Sequence, residues 1–76
     1  MEELVRYIAK TLVDNPDQVQ VRTVEDESSV VIELEVGPDD AGKVIGKQGR
    51  IAKAIRTVVK AATAREEKPV YVEINT

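Results

Sequence analysis

Apolar residues recur along this chain with two different periods, and the switches between them mark the elements. Leu4, Val5, Ile8, Ala9, Leu12 and Val13 fall at helical spacing, and Asn15-Pro16-Asp17 ends that helix. From Gln18 to Val24 the period drops to two, with Val19 and Val21 alternating with Gln20 and Arg22. Glu25-Asp26-Glu27-Ser28-Ser29 is too polar to bury and forms a turn. Ser29 to Val36 alternates again, with Val30, Ile32, Leu34 and Val36 on one face and Val31, Glu33 and Glu35 on the other. These two runs predict a hairpin.

Gly37-Pro38-Asp39-Asp40 switches the period back. Proline suits the first turn of a helix, and carboxylates there complement its positive dipole end. A short helix is predicted from about Asp39 to Ile45, interrupted by Gly46-Lys47-Gln48-Gly49, and a second from Arg50 to about Ala64. On the second helix Ile51, Ile55, Val58, Val59 and Ala62 share one arc of about 100°, and Lys53, Arg56 and Lys60 lie opposite. Glu66-Glu67-Lys68-Pro69 breaks the helix, and Val70, Val72 and Ile74 alternate as a last strand. The predicted order is α-β-β-α-α-β, an α+β fold. A two-helix crossover between the second and third strands implies that they are parallel, with a right-handed connection. The sheet is then three-stranded and mixed, its helices packed on one face and Glu33, Glu35 and Glu73 turned to water on the other.

Charge changes this picture. The chain of 76 residues carries a formal net charge of −3, which by itself argues against a nucleic-acid partner. Yet Ala41 to Arg65 holds Lys43, Lys47, Arg50, Lys53, Arg56, Lys60 and Arg65 and not one acid. The remainder carries four basic against 14 acidic residues, so a +7 window sits inside a −10 background. The absence of cysteine and histidine excludes zinc fingers, haem attachment, thiol catalysis and serine–histidine triads. No apolar run approaches the roughly 20 residues of a membrane span, and no signal-peptide pattern opens the chain, so the expectation is a cytoplasmic protein.

Within the basic window, two glycines enclose two polar residues between predicted helices. Glycine permits positive φ and lets a backbone approach a ligand closely, and the start of a helix offers free N–H groups to a phosphate. Lys47 and Arg50 add charge there and Gln48 a donor.

Val44-Ile45-Gly46-Lys47-Gln48-Gly49-Arg50-Ile51 resembles the signature of the K-homology (KH) domains, an apolar pair, G-x-x-G and a following isoleucine in a strand–helix–helix–strand unit. The additional N-terminal helix and strand resemble the type II, bacterial arrangement. In length and motif position the chain is similar to the small stand-alone bacterial KH-domain RNA-binding proteins. The likeness covers essentially the whole chain and is most specific from Ala41 to Val59. It implies one KH domain over residues 1–76, with a core motif of about 29–75 and the loop at 46–49. It also implies that Gly46, Lys47, Gln48 and Gly49 clamp the backbone of about four nucleotides of single-stranded RNA. Lys43, Arg50 and Lys53 are the expected flanking cations. Val44, Ile45, Ile51 and Ile55 occupy the apolar positions, mostly core, with Val44 or Ile45 also lining a groove for bases. The implied role is post-transcriptional regulation or RNA chaperoning, without cofactor, metal, membrane or small-molecule substrate. The implied protein partner is a second copy or a larger KH-containing RNA-binding protein.

Other readings weigh less. Gly37 to Lys43 fits seven positions of a P-loop, but Val44 stands where a hydroxyl should hold magnesium and two aspartates enter the anion cradle. A helix-turn-helix over residues 39–64 would lay the basic face in a DNA major groove, although lysine and arginine suit phosphate contact better than base readout. A protein-interaction module without nucleic acid stays open beside it. Glu2-Glu3, Asp39-Asp40 and Glu66-Glu67 fall at predicted helix ends, where acids are solvated, so they do not suggest an enzyme. Tyr7 and Tyr71 are the only aromatics, too few for a stacking platform, and Tyr71 reads as a packing residue.

Overall fold

The computed structural model describes residues 1–75, with all side chains but those of residues 43 and 45–48. Helix α1 (Glu2–Leu12) buries Val5 and Ala9 and carries Glu2 and Glu3 in its first turn, where carboxylates favour the dipole. The chain turns extended at Val13 and makes one 3-10 turn, Pro16–Gln18, with proline in its first position. That turn takes up Gln18, so β1 (Gln20–Glu25) begins two residues later than the alternation suggests. β1 pairs antiparallel with β2 (Val30–Glu35), placing Val21 opposite Leu34 and Thr23 opposite Ile32. Helix α2 (Pro38–Ala62) crosses over the sheet, and β3 (Val70–Asn75) returns parallel to β2 with Ile32 opposite Val72. The strand order β1-β2-β3 completes a mixed sheet with β3 at one edge.

The two helical stretches expected around the glycines are present, but no non-helical loop separates them. One helical span runs from Pro38 to Ala62, and the break within it is Gly49, whose φ of 64° is left-handed. A residue with that φ cannot propagate a right-handed helix. Glycine alone takes it without a Cβ clash.

The core lies between the sheet and the two helices. Ile32 and Leu34 of β2, Val5 and Ala9 of α1, and Val44, Ile55 and Val59 of α2 are buried there with Ala52 and Val72. Each buried valine, leucine or isoleucine among them contributes about 1.5–3 kcal/mol. The buried face of α2 is turned from the predicted arc. Ala52 is buried, whereas Val58 is 40 % exposed and Ala62 is exposed. The small side chain of Ala52 lets the helix approach the sheet along the 52-55-59 line, and a sheet of three strands is too narrow to cover Val58 as well.

Asp40 departs from the expectation of a solvated helix-end acid. It is 1 % exposed, and its carboxylate accepts the backbone N–H groups of Asp14 and Asn15, each at 2.9 Å, and Asn15 Nδ2 at 3.1 Å. A buried carboxylate is tolerated only when so satisfied, and no buried side-chain polar atom lacks a partner among the described residues. The outer sheet face is polar as predicted, with Glu35 and Glu73 exposed and Glu33 paired with Arg22. At the β1–β2 turn, Asp26 Oδ1 accepts the N–H groups of Ser28 at 2.7 Å and Ser29 at 2.8 Å. Lys68 Nζ donates to Glu25 Oε2 at 2.8 Å and to the Asp26 carbonyl at 2.7 Å, fastening the α2–β3 connection to that turn.

Candidate nucleic-acid interface

Lys53, Arg56 and Lys60 recur at spacings of three and four, so the helix sets them on one face. The core-facing line of Ala52, Ile55 and Val59 fixes which way that face points. All three cations are exposed beside β3. Between them and the strand lies a groove of about 530 Å³, lined by Gly49, Ala52, Lys53, Arg56, Lys60 and Ile74 and walled also by Thr57. The left-handed Gly49 stands at the same groove as these cations.

The far wall is the edge strand. Because β3 pairs only with β2 among the described residues, the backbone groups on its other side have no strand partner. Arg56 Nε donates to one of them, the Val72 carbonyl, at 3.4 Å, so the side chain reaches from helix to strand. A positive wall, an apolar floor at Ala52 and Ile74, and a strand edge with free donors and acceptors can together hold a phosphate backbone on one side and base edges on the other.

The sequence-predicted residues divide into three groups. Gly49 and Lys53 line the groove, and Arg50 is exposed without lining it. Val44 is fully buried in the core, its main expected role, and a side chain with no accessible surface packs there rather than lining the base groove. Lys43, Ile45, Gly46, Lys47 and Gln48 lie outside the residues whose side chains are described. Ala52, Arg56, Thr57, Lys60 and Ile74 also line the groove and were not among the expected RNA contacts. The periodic cations were visible as a basic face, but only the parallel return of β3 shows what they face. Tyr71 is likewise no packing residue, being 57 % exposed.

The helix begins at Pro38, so Gly37 to Lys43 offers no extended loop to cradle a nucleotide phosphate. Among the described residues no three His, Cys, Asp or Glu side chains gather as a metal site, and no helix is long and apolar enough to cross a membrane.

A helix–helix pair joined at glycine beside a basic groove, between parallel strands and preceded by one more helix and strand, defines a KH domain of the type II order. The chain belongs to the KhpA/KhpB family of KH domains, whose family model matches residues 2–74. It is 64 % identical over 74 residues to the RNA-binding protein KhpA of Clostridium acetobutylicum, covering 97 % of this chain and 99 % of that protein. The KhpA of Clostridium perfringens is 65 % identical over the same shares. That of Aquifex aeolicus is 51 % identical over 97 % of this chain and 94 % of its own length. No solved structure matches the chain.

Proposed function

We propose that this domain binds short single-stranded RNA, holding its backbone at the Gly46–Gly49 segment and its bases in the groove between α2 and β3. The groove carries the reading: Lys53, Arg56 and Lys60 face an edge strand across an apolar floor that starts at Gly49. The names of the relatives, RNA-binding proteins at 64 % and 65 % identity, support it. Lys47 and Gln48 supply a charge and a donor to the clamp, with Lys43 and Arg50 beside them. The domain acts without catalysis, in the cytoplasm, on exposed RNA strands as a regulator or chaperone. One clamp reads about four nucleotides, so it works as a homodimer or with a larger KH protein, where a second site raises the effective concentration.

The test is fluorescence anisotropy with a labelled oligouridine, its duplex RNA and a duplex DNA of equal length. Single-stranded RNA is expected to bind tightest, and Lys47→Asp with Gln48→Asp to abolish binding while circular dichroism and Tm stay near wild type. Unchanged affinity in that variant would remove the clamp. Preference for duplex DNA would instead favour a helix-turn-helix mode.

A further inference from the structure

The groove does not end at its first section. Past Arg56 a second cavity of about 510 Å³ continues between the end of α2 and the start of β3, lined by Val59, Thr63, Pro69, Val70, Tyr71 and Val72, among others. The two sections share Arg56 and Lys60. Arg56 Nε reaches the Val72 carbonyl where they meet, so the flat guanidinium stands between them. The floor of the second section is aliphatic, with Val59 and Val72 both buried. Its charged lining is Arg56, Lys60 and Lys68 against the single acid Glu66, and Lys68 is engaged with Glu25 and the Asp26 carbonyl. Tyr71 alternates with the inward-facing Val70 and Val72 and stands exposed at the rim.

We propose that this second section is a nucleobase subsite. It takes one further unpaired base of the strand held in the first section, extending the footprint beyond four nucleotides. Its volume lies within the roughly 300–1,000 Å³ of small-ligand sites. A splayed base finds there an apolar floor and the flat Arg56 guanidinium, a surface on which unstacked bases settle, with Tyr71 lining the rim. The positive lining suits the adjoining phosphate. This inference rests on the RNA reading above, and the experiment separates the two.

Labelled oligouridines of four and six nucleotides are titrated by anisotropy into the full chain, with Ala64→Trp and Tyr71→Ala as variants. Ala64 is exposed beyond the end of α2, so tryptophan there fills the section without entering the core. The six-mer should bind about tenfold tighter than the four-mer, above what its additional binding registers supply. Both variants should lose most of that gain and keep the four-mer affinity. The chain has no tryptophan and two tyrosines, so Tyr7→Phe leaves Tyr71 as the only intrinsic fluorophore. Its emission should change on saturation with the six-mer and not with the four-mer. Equal affinities for both lengths, a gain that survives both variants, or an indifferent Tyr71 would overturn the subsite while leaving the clamp intact. Binding at neither length would overturn the RNA reading and the subsite with it.

Discussion

Asp40 and Asn15 are joined by two hydrogen bonds, from the Asn15 backbone N–H at 2.9 Å and from its Nδ2 at 3.1 Å, both to the Asp40 carboxylate. The same carboxylate takes the Asp14 N–H at 2.9 Å. Asp40 lies in the first turn of α2, so these bonds fasten the segment after α1 to the helix that carries the glycines. Asp40→Ala removes, at a buried position, the acceptor of two backbone N–H groups. At about 1–3 kcal/mol for each unsatisfied group, urea denaturation should show a loss of about 2–6 kcal/mol. Asp40→Asn should rescue little, because its amide turns an N–H₂ toward one of the same donors. A loss below about 1 kcal/mol would mean that water replaces the carboxylate at no cost.

Gly42 and Gly49 make opposite predictions within one helical span. An added Cβ meets nothing within 4 Å at either position, so packing does not distinguish them. Conformation does. Gly42 is a helical residue with no left-handed requirement, and Gly42→Ala should stabilise by about 0.5–1 kcal/mol. Gly49 has φ 64°, and Gly49→Ala should destabilise by about 1–2 kcal/mol. Thermal melts of the two variants suffice. Equal shifts of the same sign would show that Gly49 does not hold its left-handed conformation in solution.

The order of elements, the hairpin, the parallel return of β3 and the inward face of β2 were legible because each rests on a period of two or 3.6. The burial of Asp40 was not, since its partners are backbone groups 25 and 26 residues away. Nor was the groove. Lys53, Arg56 and Lys60 announce a basic face, but Ile74 joins them only because β3 lies alongside α2. Periodicity also placed the buried arc of α2 too near Val58, since it weighs hydrophobicity and ignores how closely a small residue such as Ala52 lets a helix approach.

That rotation of α2 has a measurable consequence. Ile55→Ala removes a fully buried side chain and should cost about 2–5 kcal/mol, a large share of the stability of so small a domain. Val58→Ala, at a position 40 % exposed, should cost less than about 1 kcal/mol. Comparable losses in equilibrium denaturation would return Val58 to the core.

The β1–β2 turn carries its own pH dependence. The backbone N–H groups of Ser28 and Ser29, and then the charge of Lys68, hold the Asp26 carboxyl below the ordinary aspartate value of 3.8. A carboxylate lowered by folding contributes stability above that ordinary value and loses it as pH falls through the lowered one. The amide resonances of Ser28 and Ser29 should therefore titrate together with a midpoint below 3.8. In Asp26→Asn that transition should vanish. A midpoint at or above the ordinary value would mean that the turn is open in solution.

The basic face makes a prediction about ions. Lys53 and Lys60 are exposed, and both line the groove, so alanine at both should leave the fold intact. If the groove neutralises two to four phosphates, log K against log[salt] should fall with a slope of about −1.4 to −2.8, from roughly −0.7 per contact on a single strand. Removing both lysines should flatten that slope by about 1.4 if each meets one phosphate, and lower the affinity at low salt more than at high salt. The acidic remainder of the chain acts in the opposite direction. It should repel a duplex, with its denser charge, more than a short single strand. A slope that stays unchanged in the double variant would place the phosphates elsewhere on the +7 window, on Lys43, Lys47 or Arg50, and leave the groove to the bases alone.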